Sequence, residues 1–174
     1  MARRSRPDLS HVRDDGEIAM VDVGQKDVTN REAIAEAIVR MTPSTAKLLV
    51  KKALPKGDVL ATAKVAGILA AKNTPSMIPL THPLALNYID LSFKVRPRLG
   101  EVEIRATVRC SGKTGVEIEA MTACSVAALT IYDMCKSAEH GISIESVRLL
   151  RKSGGKSGLF ERDASPTGKR GTKR

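Results

Sequence analysis

One stretch, Glu117–Lys136, constrains the fold of this chain more than any other. It reads EIEAMTACSVAALTIYDMCK, and its middle part, from Ala120 to Ile131, carries no charge. The Ala, Met and Leu residues favour a helix, although Thr, Val and Ile weaken that preference. Because this helix would be apolar on all sides, it must be largely buried. Asp133 and Lys136 are three residues apart, so they share one face where the buried part ends.

The length of 174 residues fits one domain with a substantial core. No apolar run reaches the roughly 20 residues that span a bilayer. The basic N-terminus is not followed by the apolar segment of a secretory signal. We expect a disordered arm at residues 1–17, a single domain at residues 18–160 and a disordered basic tail at residues 161–174.

Composition narrows the chemistry and the partners. An odd count of cysteines in apolar surroundings (Cys110, Cys124, Cys135) indicates buried free thiols in a reducing cytoplasm. Cys124 and Cys135 would lie about 16 Å apart along one helix, which is too far to share a metal within one chain. The net charge of +10, half of it in the terminal tails, suits an anionic small molecule as well as nucleic acid. The two Tyr and two Phe residues are too few for stacking on single-stranded nucleic acid.

Two helices and a hairpin are predicted from periodicity. Asp58 is a good N-cap for a helix that reaches about Asn73, in which Gly67 indicates the close approach of another backbone. A shorter helix is expected over Ser44–Leu54. Alternating residues at 88–96 and 102–110 predict an antiparallel hairpin with one wet face, and the last strand should cover 142–150.

The segment Asn30–Met41 is ambiguous. Its alanines and glutamates favour a helix, but its residues also alternate as they would in a strand. We choose the strand because it completes a βαββαβ order, in which an antiparallel sheet carries two long helices on one face. The fold class predicted in this way is α+β, of the ferredoxin-like type.

Three segments outside these elements are expected to be non-regular. Met20–Gly24 is a short extended piece. Thr74–Pro83 is a loop in which three prolines fix the backbone around His82. The segment 152–158 is a glycine-rich basic loop. It lacks the first glycine of a phosphate-binding P-loop, since that position is Leu150, and no helix follows it. We interpret it as a loop whose lysines, Lys152 and Lys156, reach an anionic substrate.

Five segments together resemble one known family. They read MVDVGQKDVTNREAIAEA, KGDVLATAKVAGILAAK, IPLTHPLAL, GKTGVEIEAMTACSVAALTIYDMCK and LLRKSGGKSG. In this order they are similar to the motifs of the molybdenum cofactor biosynthesis protein C family, and the resemblance extends from about Met20 to Gly158. It implies a ferredoxin-like fold assembled as a hexamer of three dimers, with sites at subunit interfaces.

The resemblance also implies an activity. The family rearranges 3′,8-cyclo-7,8-dihydroguanosine triphosphate to cyclic pyranopterin monophosphate and releases pyrophosphate. No metal or organic cofactor is implied for this chemistry, and magnesium is expected only as a companion of the triphosphate. No nucleic acid or membrane partner is implied.

Site residues follow from the resemblance motif by motif. It implies catalytic roles for a set of basic and acidic side chains, Lys56, Asp133, Lys136 and Lys152, and the acid–base chemistry makes His82 a further catalytic candidate. It implies substrate contacts by another set: Leu80, Thr81, His82, Ile118 and Glu119, with Glu117 and Arg31 as weaker candidates. Thr81 departs from the family pattern, which often has cysteine at this position. If proteins with either residue are active, the chemistry does not need a thiol here.

The residue types agree with this chemistry. Opening a purine ring and closing a cyclic phosphate need proton transfers, for which an Asp–Lys pair and a histidine are suitable. Lysines counter the triphosphate charge, and a lysine among other lysines should have a depressed pKa. Glu119 and Asp133 would lie about 21 Å apart on one helix. Either Glu119 precedes the helix and folds back, or two subunits share the site, and we expect the latter.

Two other functions fit parts of the sequence. A nucleic-acid-binding domain of the same fold would use the exposed sheet face. Tyr88 is the only aromatic residue on the outward side of the predicted hairpin, however, and Asp90, Glu101 and Glu103 would repel phosphate. A scaffold without catalytic activity is weakened by the many charged residues next to Gly and Pro in the loops.

Overall fold

A single antiparallel sheet and four helices make up the fold. The structure is a computed structural model, and it describes residues 11–13, 15–51, 54, 56–156 and 158–163. The strands are β1 (Thr29–Arg40), β2 (Leu86–Arg96), β3 (Glu101–Gly112), β4 (Ser143–Ser153) and β5 (Phe160–Glu161). The helices are α1 (Pro43–Val50), α2 (Val59–Lys72), α3 (Thr74–Met77) and α4 (Glu117–Cys135).

The sheet order is β2–β3–β1–β4–β5, and every neighbouring pair is antiparallel. The first four strands have the ferredoxin-like arrangement, so the predicted fold class is confirmed, and β5 adds a short fifth strand at one edge. The strand chosen for residues 30–41 is also confirmed. It is β1, which pairs with β3 on one side and β4 on the other, and this pairing outweighs its helical propensity.

The core lies between one face of the sheet and the helices α2 and α4. Four residues of β1 that face this core are fully buried: Ala33, Ala35, Ala37 and Val39. Their small side chains allow α4 to lie close to the sheet with its own buried alanines against them. A Cβ at Gly67 of α2 would collide with Leu91 and with the Ala123 carbonyl of α4. This confirms the close backbone approach expected there and fixes α2 against α4.

Three predicted element boundaries were wrong. The first helix ends at Val50, with Lys51 as its C-cap, and not at Leu54. The loop 74–83 begins with the short helix α3, in which a proline occupies a first-turn position that needs no amide. The last strand continues to Ser153, because Lys152 and Ser153 pair with β1. Lys152 therefore lies in a strand and not in the glycine-rich loop.

The terminal segments are described only in part. Within the predicted arm 1–17, residues 11–13 and 15–17 are described, and Val12 bridges to Ile18 beyond it. At the other end Glu161 lies in β5, and the amide of Arg162 bonds to the Leu150 carbonyl. The other residues of both predicted tails lie outside the described residues, so their disorder stays a prediction. Residues 20–24, expected to be extended, belong to none of the strands.

By length and composition alone, α4 could cross a membrane. An 18-residue window of it has a mean hydropathy of 1.2, so the expectation that no run is long and apolar enough needs this correction. Half of that window is buried within the fold, against the sheet and α2. The core helix of a globular domain has the same properties, which makes this weak support for a membrane span.

Candidate active site

The predicted site residues gather at the two ends of α4. Glu117, Ile118 and Glu119 stand in its first turn, and Asp133 stands in its last. The fourteen residues from Glu119 to Asp133 correspond to about 21 Å along the axis. Because Glu119 is part of the helix, it does not fold back toward Asp133. One chain therefore holds two separate clusters.

The C-terminal cluster consists of Lys56, Asp133 and Lys136. The Lys56 ammonium donates to Asp133 Oδ2 at 3.0 Å and to the Asp133 carbonyl at 2.9 Å. The Lys136 ammonium lies 2.7 Å from Asp133 Oδ1. Both lysines are thus placed where the exposed carbonyls and the dipole of a helix C-terminus favour positive charge. Each of the three side chains is between about two-fifths and three-fifths exposed.

The charge pairing shifts the pKa values within this cluster. Hydrogen bonds from Lys136 and then Lys56 hold the pKa of the Asp133 carboxyl below its usual range. The same contact with Asp133 raises the pKa of Lys136. The expected depression of a lysine pKa is therefore wrong for Lys136 in this chain, because a carboxylate and not another ammonium is its nearest charge.

The N-terminal cluster is built on the end of the sheet that extends past the first turn of α4. Arg31 of β1 and Lys152 of β4 face the same side of the sheet as the buried alanines of β1. The Lys152 ammonium lies 2.8 Å from Glu117 Oε1. The Arg31 guanidinium donates to the carbonyls of Gly112 and Lys113, each at 3.2 Å. These bonds hold two cations at the start of α4, one of them without a carboxylate partner among the described residues.

Two glycines shape the loop after β4 around Arg31. Gly154 and Gly155 have φ values of 97° and 71°, which disfavour residues with a side chain. A Cβ at Gly154 would collide with the Asn30 carbonyl, and a Cβ at Gly155 would collide with the Arg31 guanidinium. The loop can therefore follow the surface of β1 closely, which brings Lys156 to the same cavity as Lys152.

That cavity has a volume of about 480 Å³ and a basic lining. The cations that line it come from four segments of the chain: Lys26, Arg31, Lys113, Lys152 and Lys156. Asp27, Glu32 and Glu117 are its carboxylates. The Thr29 hydroxyl, which also lines the cavity, is buried without a hydrogen-bond partner among the described residues. Lys26 and Lys113 were missed by the sequence analysis, although both lie within the motifs that carry the family resemblance.

A second cavity, of about 360 Å³, adjoins the first and shares Lys26 and Glu117 with it. The remaining predicted substrate contacts line it: Leu80, Thr81, His82, Ile118 and Glu119. His82 Nε2 lies 2.9 Å from the Val21 carbonyl, which requires the tautomer with a proton on that nitrogen. The Thr81 hydroxyl donates to the Ile78 carbonyl at 2.8 Å and so closes the turn before His82.

Glu119 is the buried carboxyl of this site. Only 3% of the surface of Glu119 is exposed. Its side chain forms no hydrogen bond or ion pair with another described residue. Burial, opposed by its own backbone amide and helped by the charge of Glu117, raises the pKa of Glu119 to about 7. This carboxyl can therefore hold or release a proton near neutral pH.

The cysteines take no part in either cavity. Cys110, Cys124 and Cys135 are free and buried, as expected. Burial raises the pKa of Cys124 to about 12 and that of Cys135 to about 11, so these thiols are poor nucleophiles. Within the described part of the chain, no three His, Cys, Asp or Glu side chains meet as metal ligands. The expectation about cofactors remains a prediction.

The exposed face of the sheet has a different character. Its arginines are paired with carboxylates on neighbouring strands, as in the Arg105–Glu36, Arg148–Glu36 and Arg109–Glu32 contacts. Glu36, at 4% exposure, accepts hydrogen bonds from two of these arginines. A face in which cations are already neutralised offers little to a phosphate backbone. The nucleic-acid alternative is therefore not favoured by this surface.

The fold and the two clusters define a ferredoxin-like α+β protein with a cavity rich in cationic side chains at one end of its sheet. The model of the MoaC family matches residues 20–155. A curated relative from Bordetella avium (strain 197N) is 56% identical over 159 residues, which is 91% of this chain and 98% of the relative. Another, from Roseiflexus sp. (strain RS-1), is 54% identical over 156 residues, or 90% of this chain and 99% of the relative. Both are named cyclic pyranopterin monophosphate synthase.

The chain belongs to the MoaC family, and the resemblance seen in its motifs is confirmed. It is thus an enzyme of molybdenum cofactor biosynthesis that acts on a small molecule. A third relative, from Pelotomaculum thermopropionicum, is 53% identical over 154 residues and has the same name. The comparisons do not test the roles of individual site residues, which stay predictions.

Proposed function

We propose that this chain converts 3′,8-cyclo-7,8-dihydroguanosine triphosphate to cyclic pyranopterin monophosphate and releases pyrophosphate. The name shared by relatives that are more than half identical over nearly their whole length supports the reaction. The basic cavity beside Arg31 and Lys152 is the observation that carries the proposal, because the substrate is a polyanion.

Charge and geometry suit this cavity to a triphosphate. Its cations outnumber its carboxylates, and Arg31 is already oriented by two carbonyls. Guanidinium and ammonium groups bind phosphate oxygens through charge-assisted hydrogen bonds. The Thr29 hydroxyl, which lacks a partner among the described residues, can donate to the same oxygens. A phosphate that binds Lys152 would compete with Glu117 for that ammonium.

The proton transfers are assigned to both ends of α4. His82 and Glu119 line the cavity next to the phosphate site, where the pterin-forming part of the substrate would lie. Lys56, Asp133 and Lys136 form a second acid–base set with two ammonium groups on one carboxylate. Positioned acids and bases of these types contribute roughly 10²–10⁴-fold each to such reactions.

We propose that two subunits share each site. The separation of the two clusters along one straight helix supports this, because a small substrate cannot reach both in one chain. Apolar residues on the outward surface of the helices lie between the clusters: Val65, Leu69 and Leu129 are each more than half exposed. A second copy packed there with its α4 antiparallel would bring Asp133 of one subunit to the N-terminal cluster of the other.

The proposal extends to the larger assembly and to the location. The hexamer of three dimers follows from the family resemblance alone. The three free thiols support a reducing, cytoplasmic location. Nothing in the site residues requires a resident cofactor for the proton transfers proposed here, and magnesium would come with the triphosphate as part of the substrate.

Turnover of the cyclic dihydroguanosine triphosphate tests the proposal. Pyrophosphate release by the purified chain would be compared with that of Asp133→Asn and of Lys64→Met. Lys64 also forms an exposed ion pair, at 2.6 Å with Asp90, but outside both clusters, so its variant is the matched control. We expect release by the wild type and the control and a loss of at least about 100-fold in Asp133→Asn. No release by the folded wild type would overturn the assigned reaction, and equal release by all three would remove Asp133 from the mechanism.

A further inference from the structure

Glu117 and Glu119 are two carboxyl groups in the same helical turn with opposite surroundings. Glu117 is partly exposed and lies against the Lys152 ammonium, which compensates its charge. Glu119 is almost fully buried and has no cation against it among the described residues. Two glutamates that are two residues apart in the sequence therefore differ in role because their surroundings differ.

Glu119 lines the second cavity, where His82 and Thr81 also lie. Several elements place titratable or charged groups around Glu119: its own helix, β1, β3, the loop after α3 and the N-terminal segment. In that order these groups are Glu117, Arg31, Cys110, His82 and, from the N-terminal segment, Lys26 and His11. Neither Lys26 nor Arg31 forms an ion pair with Glu119. A bound polyanion in the adjoining cavity would engage these cations and leave Glu119 more strongly protonated.

Burial and the Glu117 charge both favour the neutral form of Glu119, which explains why its pKa is about 7. Glu119 can therefore carry a proton at neutral pH. A group in this condition matches the requirement for a general acid, which needs a proton to give at the working pH. His82 is a less suitable donor from Nε2, because the Val21 carbonyl already accepts that proton.

We propose that Glu119 is a catalytic residue that donates a proton to the substrate in the second cavity, while Glu117 only holds Lys152. In this step the carboxyl O–H bond breaks and its electron pair stays on the carboxylate. A lone pair on a substrate nitrogen or oxygen forms the new bond to the proton. Bulk solvent returns a proton to Glu119 after the product leaves. The inference rests on the proposed function, since it assigns one proton of that reaction.

Glu119→Gln, Glu119→Asp and Glu117→Gln test this assignment. Gln keeps the shape and neutrality of the protonated side chain but cannot give up a proton in this way. We expect kcat of Glu119→Gln to fall by at least about 100-fold with little change in KM. Glu119→Asp keeps a carboxyl and should recover part of the loss. Glu117→Gln should change KM more than kcat, because it alters the lysine that binds the anion.

The pH dependence separates proton donation from a structural role. The wild-type kcat/KM should fall as the pH rises through about 7, since this parameter reports the free enzyme, and the limb should be absent from the residual activity of Glu119→Gln. Infrared spectroscopy of the folded protein should show a protonated carboxyl band that disappears over the same range and is missing in Glu119→Gln.

Each outcome decides the assignment. Release of pyrophosphate by the wild type and by Glu119→Gln at similar rates would overturn the role of Glu119 and leave the proposed function intact. A pH limb that persists in Glu119→Gln would also overturn it. No release by the wild type would overturn the proposed function together with this inference. If Glu119→Gln does not fold, Glu119→Asp with an unchanged pH limb and unchanged kcat would contradict it.

Discussion

The two ends of α4 shift the pKa values of their carboxyl groups in opposite directions. At the N-terminal end, Glu119 is buried away from cations, and its pKa is raised to about 7. At the C-terminal end, Asp133 is exposed between two ammonium groups, and its pKa is lowered. One helix thus carries a carboxyl that keeps its proton near neutrality and another that remains ionised.

The comparison shows that position along the sheet, and not residue type, decides these roles. In the first turn of α4, Glu119 is buried and lines a cavity together with Leu80, Thr81 and His82. In the last turn, Asp133 is more than half exposed, and its carboxylate is paired with Lys56, just before α2, and with Lys136. Pairs of groups whose surroundings push their pKa values apart are typical of acid–base catalysis. The two ends are complementary, which is what a site shared by two subunits requires.

The largest effect should come from mixing two inactive variants. Lys152→Met damages the N-terminal cluster, and Asp133→Asn damages the C-terminal one. If each site takes one cluster from each subunit, a mixed dimer contains one intact site and one doubly damaged site. Random mixing should then restore about a quarter of the wild-type rate from two variants with about 1% or less each. Pyrophosphate release after co-refolding measures this.

The matched control mixes two variants from the same cluster, Lys56→Met and Asp133→Asn. Every site would then lack one member of the C-terminal cluster, so no activity should return. Mass spectrometry would establish that subunits have exchanged. Exchange without recovery in the first mixture would contradict a shared site, and recovery in the control mixture would show that the clusters are wrongly divided.

A second, intermediate effect concerns stability at the buried end. Between pH 4.5 and about 7 the folded chain holds a proton on Glu119 that the unfolded chain has lost. This contribution to the free energy of unfolding is therefore full at low pH and is lost as the pH rises through about 7. It amounts to about 3 kcal/mol between the two limits. Glu119→Gln should remove it.

Urea unfolding at pH 5 and pH 8, at fixed protein concentration, measures this term. The wild type should lose stability relative to Glu119→Gln as the pH rises. Glu117→Gln should keep most of this pH dependence, with a lower midpoint, since Glu119 remains buried in it but loses the influence of the Glu117 charge. Parallel behaviour of the wild type and Glu119→Gln would mean that Glu119 is ionised at neutral pH and would remove the contrast between the two ends of α4.

Much of the fold could be predicted because it depends on local patterns. The charge-free run of α4, the Asp58 cap and the hairpin alternation each correspond to an observed element. Residues 30–41 needed a global argument, since only pairing with both β3 and β4 overrides their helical propensity. The end of β4 was missed for the same reason. Lys152 lies in a strand because β1 pairs with it, and its glycine-rich surroundings contain no sign of this.

The candidate site could be predicted residue by residue but not in its arrangement. The motifs indicated Lys56, Asp133 and Lys136, and the structure brings these three together. The contact between Lys56 and Asp133 joins the turn before α2 to the last turn of α4 across 77 residues of sequence, which no local pattern reports. The direction of the Lys136 pKa was mispredicted, because the nearest charge depends on side-chain geometry. Lys26 precedes β1 and Lys113 follows β3, and only the folded chain brings these two segments to the same cavity.

The smallest effect should appear at the exposed end of α4. Removing Lys136 should raise the pKa of Asp133, and removing Lys56 should raise it less, because the contact with Lys136 has the larger influence. A carboxyl with a depressed pKa contributes stability that is present at neutral pH and lost as the pH falls through its folded pKa. Exposure to solvent keeps this contribution small, and salt should reduce it further.

Nuclear magnetic resonance titration of the Asp133 carboxyl in Lys136→Met and Lys56→Met measures both shifts. Lys64→Met, whose ion pair lies elsewhere, should leave the Asp133 titration unchanged. Equal titrations in all these variants would mean that the lysines do not hold Asp133 in its ionised form, and the partner subunit would then have to supply the charge that does.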